Sequence, residues 1–292
     1  MGTIRTVLLT GATGYLGSKL IPKLLSNNLE VFVIKRENSN LGRVEEYLGN
    51  IKSYNSDAES IELAFSRNKI DLVIHCATLY GRKGETFLEI KNANLDFPAL
   101  VLDLAVKHGV QYFINTGTSL PAFANMYALF KSQFTNYLEF LSTSITSINI
   151  VLEHFYGPGD DDSKFITGMI KRIAANEPEI NLTAATQLRD FIYIEDVLCA
   201  YMTIIEKLNT FSGYNDIPVG SGEVLSIRNV VELIKKYTDS RSLLNFGAIQ
   251  MRENELMLSN ADITSLKLLG WRPTYSFNEA LALTIKSITV NS

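Results

Sequence analysis

The 292-residue chain holds few of the residue types that ligate metals or form disulfides, with only two cysteines and three histidines. Cys76 and Cys199 lie in apolar runs without metal-ligand spacing, so we interpret both as buried thiols and predict no metal site. Acidic residues (31) nearly balance lysine and arginine (27), and a net charge of -4 gives no basic field for nucleic acid. No run approaches the roughly 20 apolar residues of a membrane span, and no signal peptide precedes the first apolar run. We therefore expect a cytoplasmic protein without a membrane or nucleic-acid partner.

Short apolar runs alternate with helical patterns through the first half of the chain. The strand candidates are Val7–Leu9, Val31–Ile34, Leu72–Ile74, Tyr112–Ile114 and Ile148–Leu152. The helical patterns between them include Lys19–Leu25, Asn94–Lys107 and Asn125–Leu141. Strands that are apolar throughout and are joined by helices predict an α/β fold with a doubly wound parallel sheet of the Rossmann type.

The regular alternation of apolar runs and helical patterns ends after Gly157-Pro-Gly159. The later candidates are the helix Lys164–Ala175, the strand Arg189–Ile194 and the helices Glu195–Leu208, Ile227–Tyr237 and Ile263–Leu269. We predict a smaller, interleaved C-terminal substrate domain made of residues from about 161 to 183 and from 221 to 292. Residues 1–160 and about 184–220 then form the Rossmann domain.

A glycine-rich loop follows the first predicted strand and opens a helix. Gly11, Gly14 and Gly17 permit a tight turn and close backbone approach to a pyrophosphate, although an ordinary glycine turn is the alternative. The second strand ends in Lys35 and Arg36, where an acidic residue would bind the ribose 2′-hydroxyl of NAD. Two cations suit a 2′-phosphate, so we predict NADP(H), the alternative being a solvated charge pair.

Tyr127 and Lys131 are four residues apart and so share one face of a predicted helix. An ammonium beside a phenol favours the ionised form, so we expect a lowered pKa for Tyr127 and proton exchange near neutral pH. Thr118 lies at the end of a preceding strand, where its hydroxyl can bind a substrate oxygen. Thr118, Tyr127 and Lys131 are therefore the candidate catalytic residues. The alternatives are a turn role for Thr118, with Ser119 as the competing hydroxyl, and an amphipathic helix with a half-buried tyrosine.

These motifs together resemble a known family. The chain resembles the extended short-chain dehydrogenases/reductases of the NAD-dependent epimerase/dehydratase group, which act on nucleotide-activated sugars. The motifs that carry the resemblance are Thr10–Gly17, Thr118, Tyr127-x-x-x-Lys131, Phe155–Gly159, Arg189–Asp196 and Leu269–Pro273. Three further stretches resemble the ketoreductases of bacterial O-antigen deoxysugar assembly within that group: Ile74–Gly81, Leu152–Asp160 and Phe246–Glu255.

The resemblance implies a set of binding residues. On the cofactor side they are Gly11, Thr13, Gly14, Tyr15, Leu16 and Gly17 for the pyrophosphate, Lys35 and Arg36 for the 2′-phosphate, Asp57 for the adenine, Ala77 and Thr78 for the ribose side, and Tyr127 and Lys131. On the substrate side they are Tyr80, Ser119, His154, Lys164, Arg189 and Arg252, with Arg189 and Arg252 on the diphosphate. From the residues alone, Asp57 could equally cap the helix Ala58–Phe65, and His154 could be a packed residue behind the site.

Three reactions share this scaffold in the family: reduction, 4-epimerisation and 4,6-dehydration. Dehydration needs an acidic pair after the catalytic hydroxyl, and Ser119-Leu120 stands there instead, so dehydration is disfavoured. Because the cationic pair favours NADPH, we predict reduction of a nucleotide-linked 4-keto-deoxyhexose. The alternatives are a nucleotide-sugar 4-epimerase, a dTDP-4-keto-6-deoxyhexose reductase, and an NADP(H)-binding sensor without catalysis. The resemblance also implies a homodimer through the helices Asn94–Lys107 and Asn125–Leu141.

Overall fold

The computed structural model describes residues 4–253 and 255–290. They form two compact units. The first unit contains the residues up to Val151 together with Tyr201–Ile217. The second contains Leu152–Ala200 together with the residues from Pro218 onward. The chain therefore enters each unit twice.

Strands and helices alternate through most of the described residues. The strands are β1 (Thr6–Thr10), β2 (Glu30–Lys35), β3 (Ile51–Asn55), β4 (Leu72–His75), β5 (Tyr112–Thr116), β6 (Thr146–Leu152), β7 (His154–Tyr156), β8 (Glu179–Leu182), β9 (Leu188–Tyr193), β10 (Tyr214–Val219), β11 (Val224–Ser226), β12 (Leu243–Phe246) and β13 (Leu258–Ser259). The helices are α1 (Tyr15–Ser26), α2 (Ala58–Arg67), α3 (Phe87–Lys91), α4 (Phe97–Lys107), α5 (Met126–Phe140), α6 (Phe165–Ala174), α7 (Ile194–Glu206), α8 (Ile227–Tyr237), α9 (Thr264–Leu268) and α10 (Phe277–Thr289).

The first unit is built on a seven-stranded sheet in the order β10-β6-β5-β4-β1-β2-β3. The neighbouring pairs from β6 to β3 are all parallel, and the central strand β1 pairs Val7 with Val31 on one side and with Leu72 on the other. Parallel strands covered on both faces need apolar side chains throughout, and β1, β2 and β4 are buried almost along their whole length. The predicted α/β fold with a doubly wound sheet is confirmed.

Helices α2, α4 and α5 cover the sheet of the first unit with apolar side chains. Phe65 of α2, Leu102 of α4 and Phe134 of α5 belong to one buried cluster with Leu8 and Phe113 of the strands. Full burial of such a side chain stabilises the fold by about 1.5–3 kcal/mol. This packing holds the carboxyl ends of the strands in fixed positions, and the predicted site residues follow those ends.

The second unit contains two small sheets. Strand β9 pairs with β11, β13 and β7, and β8 pairs with β12. Helices α6, α8 and α10 pack together in the same unit. The sequence analysis grouped residues 152–160 and about 184–200 with the Rossmann domain. In the structure they lie in the second unit, because β7 and β9 hydrogen-bond to each other, with His154 opposite Phe191.

Two local features differ from the sequence-based predictions. The predicted helix Asn94–Lys107 is interrupted at its start, because Asn92–Asp96 forms a wide turn of π-helical type before α4 begins. Cys199 is exposed, so the prediction of a buried thiol is wrong there. The apolar run around Cys199 forms α7, and such a run does not tell which side of the helix faces outward.

Membrane-spanning helices and metal-binding clusters are both absent from residues 4–253 and 255–290. No helix in those ranges combines the length and the apolarity that a membrane crossing requires. Even α5, with 15 residues, reaches only about 22 Å. No group of three or more His, Cys, Asp or Glu side chains in the described ranges could hold a metal ion.

Candidate active site

The glycine loop between β1 and α1 is shaped by backbone contacts that leave no room for side chains. Gly11 has a φ of 71°, and a Cβ there would lie 2.5 Å from the Ala77 nitrogen. A Cβ on Gly17 would lie 2.3 Å from the Gly11 carbonyl oxygen. Gly14 is the N-cap of α1, so no side chain covers the positive end of this 12-residue helix. With Thr13 completing the turn and Tyr15 and Leu16 opening α1, the loop fits a pyrophosphate.

The predicted adenosine-binding residues follow β2 and β3, which end side by side. Lys35 lies opposite Asn55 in the sheet and is half-buried, and Arg36 is exposed. Asp57 is the N-cap of α2, where its Oδ1 accepts a hydrogen bond from the Ser60 nitrogen at 2.8 Å. This bond holds the pKa of Asp57 below its usual value. The structure thus gives Asp57 its helix-cap role, and the contact with adenine stays a prediction.

Asn94, which the sequence analysis did not single out, fixes the loop after β4. Its Oδ1 accepts hydrogen bonds from Thr78 Oγ1 at 2.7 Å and from the Leu79 nitrogen at 3.3 Å. Its Nδ2 donates to the carbonyl oxygens of Leu79 at 2.8 Å and Ile90 at 2.9 Å. The side chain is fully buried, and all four hydrogen-bonding positions of the amide are used. Thr78 is therefore held in one orientation, and wide turns such as the one that carries Asn94 are frequent at functional sites.

Tyr127 lies in the first turn of α5, which Asn125 caps by accepting a backbone N–H. The Tyr127 side chain is buried, and burial raises the pKa of its phenol. The Thr118 hydroxyl, the charge of Arg82 and the Thr78 hydroxyl act in the opposite direction. The predicted lowering of the Tyr127 pKa is therefore wrong, because burial outweighs the three opposing effects.

The ammonium of Lys131 points toward the end of β5. Its Nζ donates to the Thr116 carbonyl oxygen at 2.7 Å, and the side chain is only 2% exposed. Burial lowers the pKa of Lys131 to about 8. The Thr116 hydroxyl shares a hydrogen bond with the Tyr201 hydroxyl at 2.6 Å and donates to the Cys76 sulfur at 3.3 Å. Thr116 is thus held by its side chain while its carbonyl orients the lysine.

Tyr80, a predicted substrate residue, packs against Tyr127. The two ring centroids are 5.0 Å apart, with the planes at 47°. The guanidinium carbon of Arg82 lies 4.7 Å from the Tyr80 ring centroid. Ser119 is half-buried beside Thr118 in the loop that leads to α5. Of the two competing hydroxyls, that of Thr118 is the one that acts to lower the pKa of the Tyr127 phenol.

In the second unit, Arg189 and His154 each contact a glutamate that the sequence analysis did not assign to the site. Arg189 is buried in β9, and its Nη2 donates to Glu255 Oε1 at 2.8 Å. His154 Nδ1 lies 3.3 Å from Oε2 of the buried Glu153. Both carboxylate oxygens of Glu153 accept from Ser259 Oγ, at 2.9 and 2.8 Å. The buried position of Glu153 could not be foreseen, because it follows the last apolar residue of β6.

The remaining predicted substrate residues, Lys164 and Arg252, also lie in the second unit. Lys164 Nζ is 3.0 Å from Asp160 Oδ1 and 3.5 Å from the centroid of the Phe155 ring. Arg252 is exposed in the segment between β12 and β13. The side chains of Arg189, His154 and Lys164 therefore each have a polar or charged partner in their own unit.

Comparisons with known proteins identify the family of the chain. The model of the NAD dependent epimerase/dehydratase family matches residues 7–220. The chain is 31% identical over 300 residues to CDP-abequose synthase from Salmonella typhimurium (strain LT2), covering 97% of this chain and 98% of that protein. It is 27% identical over 315 residues to dTDP-4-dehydro-6-deoxyglucose reductase from Escherichia coli, covering 97% of each.

Solved structures show the same fold. UDP-glucose 4-epimerase from Thermus thermophilus, in complex with NAD, matches with a TM-score of 0.83 at 23% identity, covering 97% of this chain and 99% of that one. The glycine loop and the Tyr127–Lys131 pair both lie within the range that the family model matches. Together with the nearly full-length similarity to the Salmonella protein, they make the chain a member of the NAD dependent epimerase/dehydratase family.

Proposed function

We propose that the protein catalyses the NADPH-dependent reduction of a nucleotide-linked 4-keto-deoxyhexose, as a CDP-abequose synthase-like enzyme of O-antigen deoxysugar biosynthesis in the cytoplasm. The observation that carries this proposal is the position of Tyr127, whose phenol is buried and lies under the influence of the Thr118 and Thr78 hydroxyls. A protein that only sensed NADP(H) would not need a buried phenol between two hydroxyls. The similarity to CDP-abequose synthase supports the choice of substrate class.

The proposed cofactor is NADP(H), bound by the first unit. The crowded glycine loop would hold the pyrophosphate at the start of α1, and Lys35 and Arg36 would bind the 2′-phosphate. When bound, the nicotinamide would supply a hydride to the carbonyl carbon. Lys131, with a pKa of about 8, is mostly charged at pH 7 and can donate to a ribose hydroxyl. The Thermus epimerase binds NAD, so the cationic pair is the feature that favours NADP(H) here.

Tyr127 is the proposed proton donor. Its O–H bond breaks as the proton passes to the carbonyl oxygen of the ketosugar, and the Thr118 hydroxyl hydrogen-bonds the same oxygen. Asn94 holds the Thr78 hydroxyl, which also acts on the phenol. Burial excludes water from the phenol, so the proton goes to the substrate rather than to solvent.

The second unit is the proposed site of the nucleotide diphosphate. Arg189 and Arg252 would contact the phosphates, because a guanidinium matches phosphate oxygens in a bidentate manner. His154 and Lys164 are the proposed additional contacts. Arg189 has its charge partly balanced by Glu255, and a bound diphosphate would compete for the same N–H groups.

A 4-epimerase is the second candidate, because the chain shares its fold with UDP-glucose 4-epimerases. The decisive test follows NADPH absorbance with a panel of CDP- and dTDP-linked 4-keto-deoxyhexoses, beside UDP-sugars with NAD. Oxidation of NADPH by a CDP-linked 3,6-dideoxy-4-ulose supports the proposal, and oxidation by dTDP sugars alone indicates the activity of the Escherichia coli relative. Interconversion of UDP-sugars without NADPH oxidation would show an epimerase instead.

A homodimer through α4 and α5 is also proposed. Phe130, Phe134 and Leu138 of α5 are buried within the first unit, so they supply no surface for an interface. Phe140, which is 78% exposed, supports an interface instead. Light scattering of the wild type and of Phe140→Ser decides: a dimeric mass that falls to a monomer in the variant supports the proposal, and a monomeric wild type contradicts it.

A further inference from the structure

Arg82, Tyr80 and the proposed proton donor Tyr127 form a row of three side chains in the first unit, in which the two tyrosine rings are tilted against each other. The Arg82 guanidinium carbon lies 4.7 Å from the centroid of the Tyr80 ring, and that ring lies 5.0 Å from the Tyr127 ring. Tyr80 and Arg82 belong to the loop after β4, and Tyr127 belongs to α5. Arg82 is exposed, whereas Tyr127 is 8% exposed. Arg82 therefore lies at the solvent end of this row, and Tyr127 lies at the reacting end.

The two cations near Tyr127 have different surroundings. Lys131 is buried on the same helix, and its ammonium donates to the Thr116 carbonyl. Arg82 faces the phenol through Tyr80, and its charge opposes the rise in the Tyr127 pKa that burial causes. Burial brings the pKa of Lys131 to about 8, so that lysine loses charge in mildly alkaline solution. An arginine keeps its charge at every pH that a protein tolerates.

We propose that Arg82 is a positioning residue for the proton transfer, acting through its charge on Tyr127, while Lys131 serves the cofactor ribose. This inference rests on the proposed function. When the Tyr127 O–H bond breaks and its proton goes to the carbonyl oxygen, the phenol is left as a phenolate. The positive charge of Arg82 stabilises that phenolate across the Tyr80 ring. A proton from solvent then restores the phenol before the next turnover.

The remaining groups that act on the Tyr127 phenol, among the residues that the structure describes, are uncharged. They are the hydroxyls of Thr118, at the end of β5, and of Thr78, in the loop after β4. The Thr78 hydroxyl donates its proton to Asn94 Oδ1, so Thr118 is the hydroxyl that can stabilise a phenolate by hydrogen bonding, and this effect does not depend on ionic strength. The contribution of an exposed arginine does depend on it, because dissolved salt screens the charge. Salt therefore separates the role of Arg82 from that of the hydroxyls.

The test compares Arg82→Gln and Arg82→Lys with a matched control, Lys83→Gln, which removes the neighbouring exposed lysine of the same loop. At low salt we expect Arg82→Gln to lower kcat about two- to fivefold, the size of an exposed cation–π contact. We expect Arg82→Lys to restore most of the rate and high salt to shrink the difference. NADPH affinity, measured by fluorescence, should be unchanged in all three.

A second measurement does not require turnover. The difference between the tyrosinate absorbance titrations of the wild type and of Tyr127→Phe isolates the ionisation of Tyr127. In the Arg82→Gln background this ionisation should occur at higher pH, and in Lys83→Gln it should not move. An unchanged titration in Arg82→Gln would overturn the inference, as would an Arg82→Lys enzyme as slow as Arg82→Gln. A wild type that reduces no ketosugar, but whose Tyr127 titration depends on Arg82, would refute the proposed function and would still show that the charge of Arg82 acts on Tyr127.

Discussion

Replacing Lys131 by methionine should make the cofactor-free protein more stable while abolishing its proposed function. Burial lowers the pKa of Lys131 from the ordinary lysine value of 10.5 to about 8. Each pKa unit corresponds to about 1.4 kcal/mol, so the buried charge destabilises the folded state by about 3 kcal/mol at pH 7. Methionine has a similar length and no charge. It leaves the Thr116 carbonyl without its donor, which costs about 1–2 kcal/mol. We expect a net stabilisation of about 1–2 kcal/mol.

The pH dependence identifies the cause of this stabilisation. The folded-state pKa of Lys131 lies below its unfolded value, so the unfolded chain binds more protons between pH 8 and 10.5. The destabilisation is therefore complete below pH 8 and is relieved as the pH rises through this window. By about pH 9 the wild type should have gained about 1 kcal/mol from this site, and Lys131→Met should gain none.

Urea unfolding without cofactor, at pH 7 and about pH 9, measures both effects. Lys236→Met is the control, because it removes an exposed lysine of α8 and should change stability by no more than about 0.5 kcal/mol. A Lys131→Met protein that is less stable than the wild type at pH 7, with the same gain between the two pH values, would refute the reasoning.

Three further predictions concern the same unit. In Gly17→Ala the new Cβ would lie 2.3 Å from the Gly11 carbonyl oxygen, so the loop must shift. NADPH affinity, measured by fluorescence titration, should therefore fall about tenfold or more. Unchanged affinity would contradict a pyrophosphate in this loop. Burial, and then the charge of Lys131, hold the pKa of His75 well below 6.5, so the folded state stays neutral while the unfolded chain takes up a proton below pH 6.5. Stability should therefore fall below pH 6.5 by up to about 1.4 kcal/mol per pH unit, and His75→Gln should lose less in acid urea titrations. Asn94→Leu removes four hydrogen bonds that hold Thr78 and its neighbours. The kcat should therefore fall about tenfold or more. An unaltered kcat would show that this loop does not position the site.

The central strands of the first sheet could be predicted because burial on both faces leaves an uninterrupted apolar run, as in Val31–Ile34. Strand β10 could not, because it lies at the sheet edge, mixes polar with apolar residues and contains Pro218. Helix α10 was missed although its start carries a readable signal. Ser276 and Glu279 form a capping box there, a pattern that marks a helix N-terminus in a sequence.

The candidate site could likewise be predicted only in part. Spacing placed Tyr127 and Lys131 on one helix, and it could not tell that the ammonium would point to the Thr116 carbonyl, which comes from a different element. The position of Arg82 beside Tyr80 could not be predicted, because it depends on the path of a loop that contains Gly81 and Gly84, both with positive φ. Local patterns specify residues within one element, whereas these contacts join separate elements.

Because the chain enters the first unit twice, the two parts of this unit are made at different times on the ribosome. Strand β10 covers the edge of β6, where the Ser147 nitrogen donates to the Gly213 carbonyl at 2.8 Å and Asn149 Nδ2 donates to Asp216 Oδ1 at 2.7 Å. The residues of Leu152–Ala200 are translated before that covering strand, which takes several seconds at about 5–20 residues per second. During this interval the nascent sheet has an open edge able to pair with other chains. A ribosome stalled before β10 has emerged would therefore present an aggregation-prone intermediate, and one stalled after β10 has emerged would not.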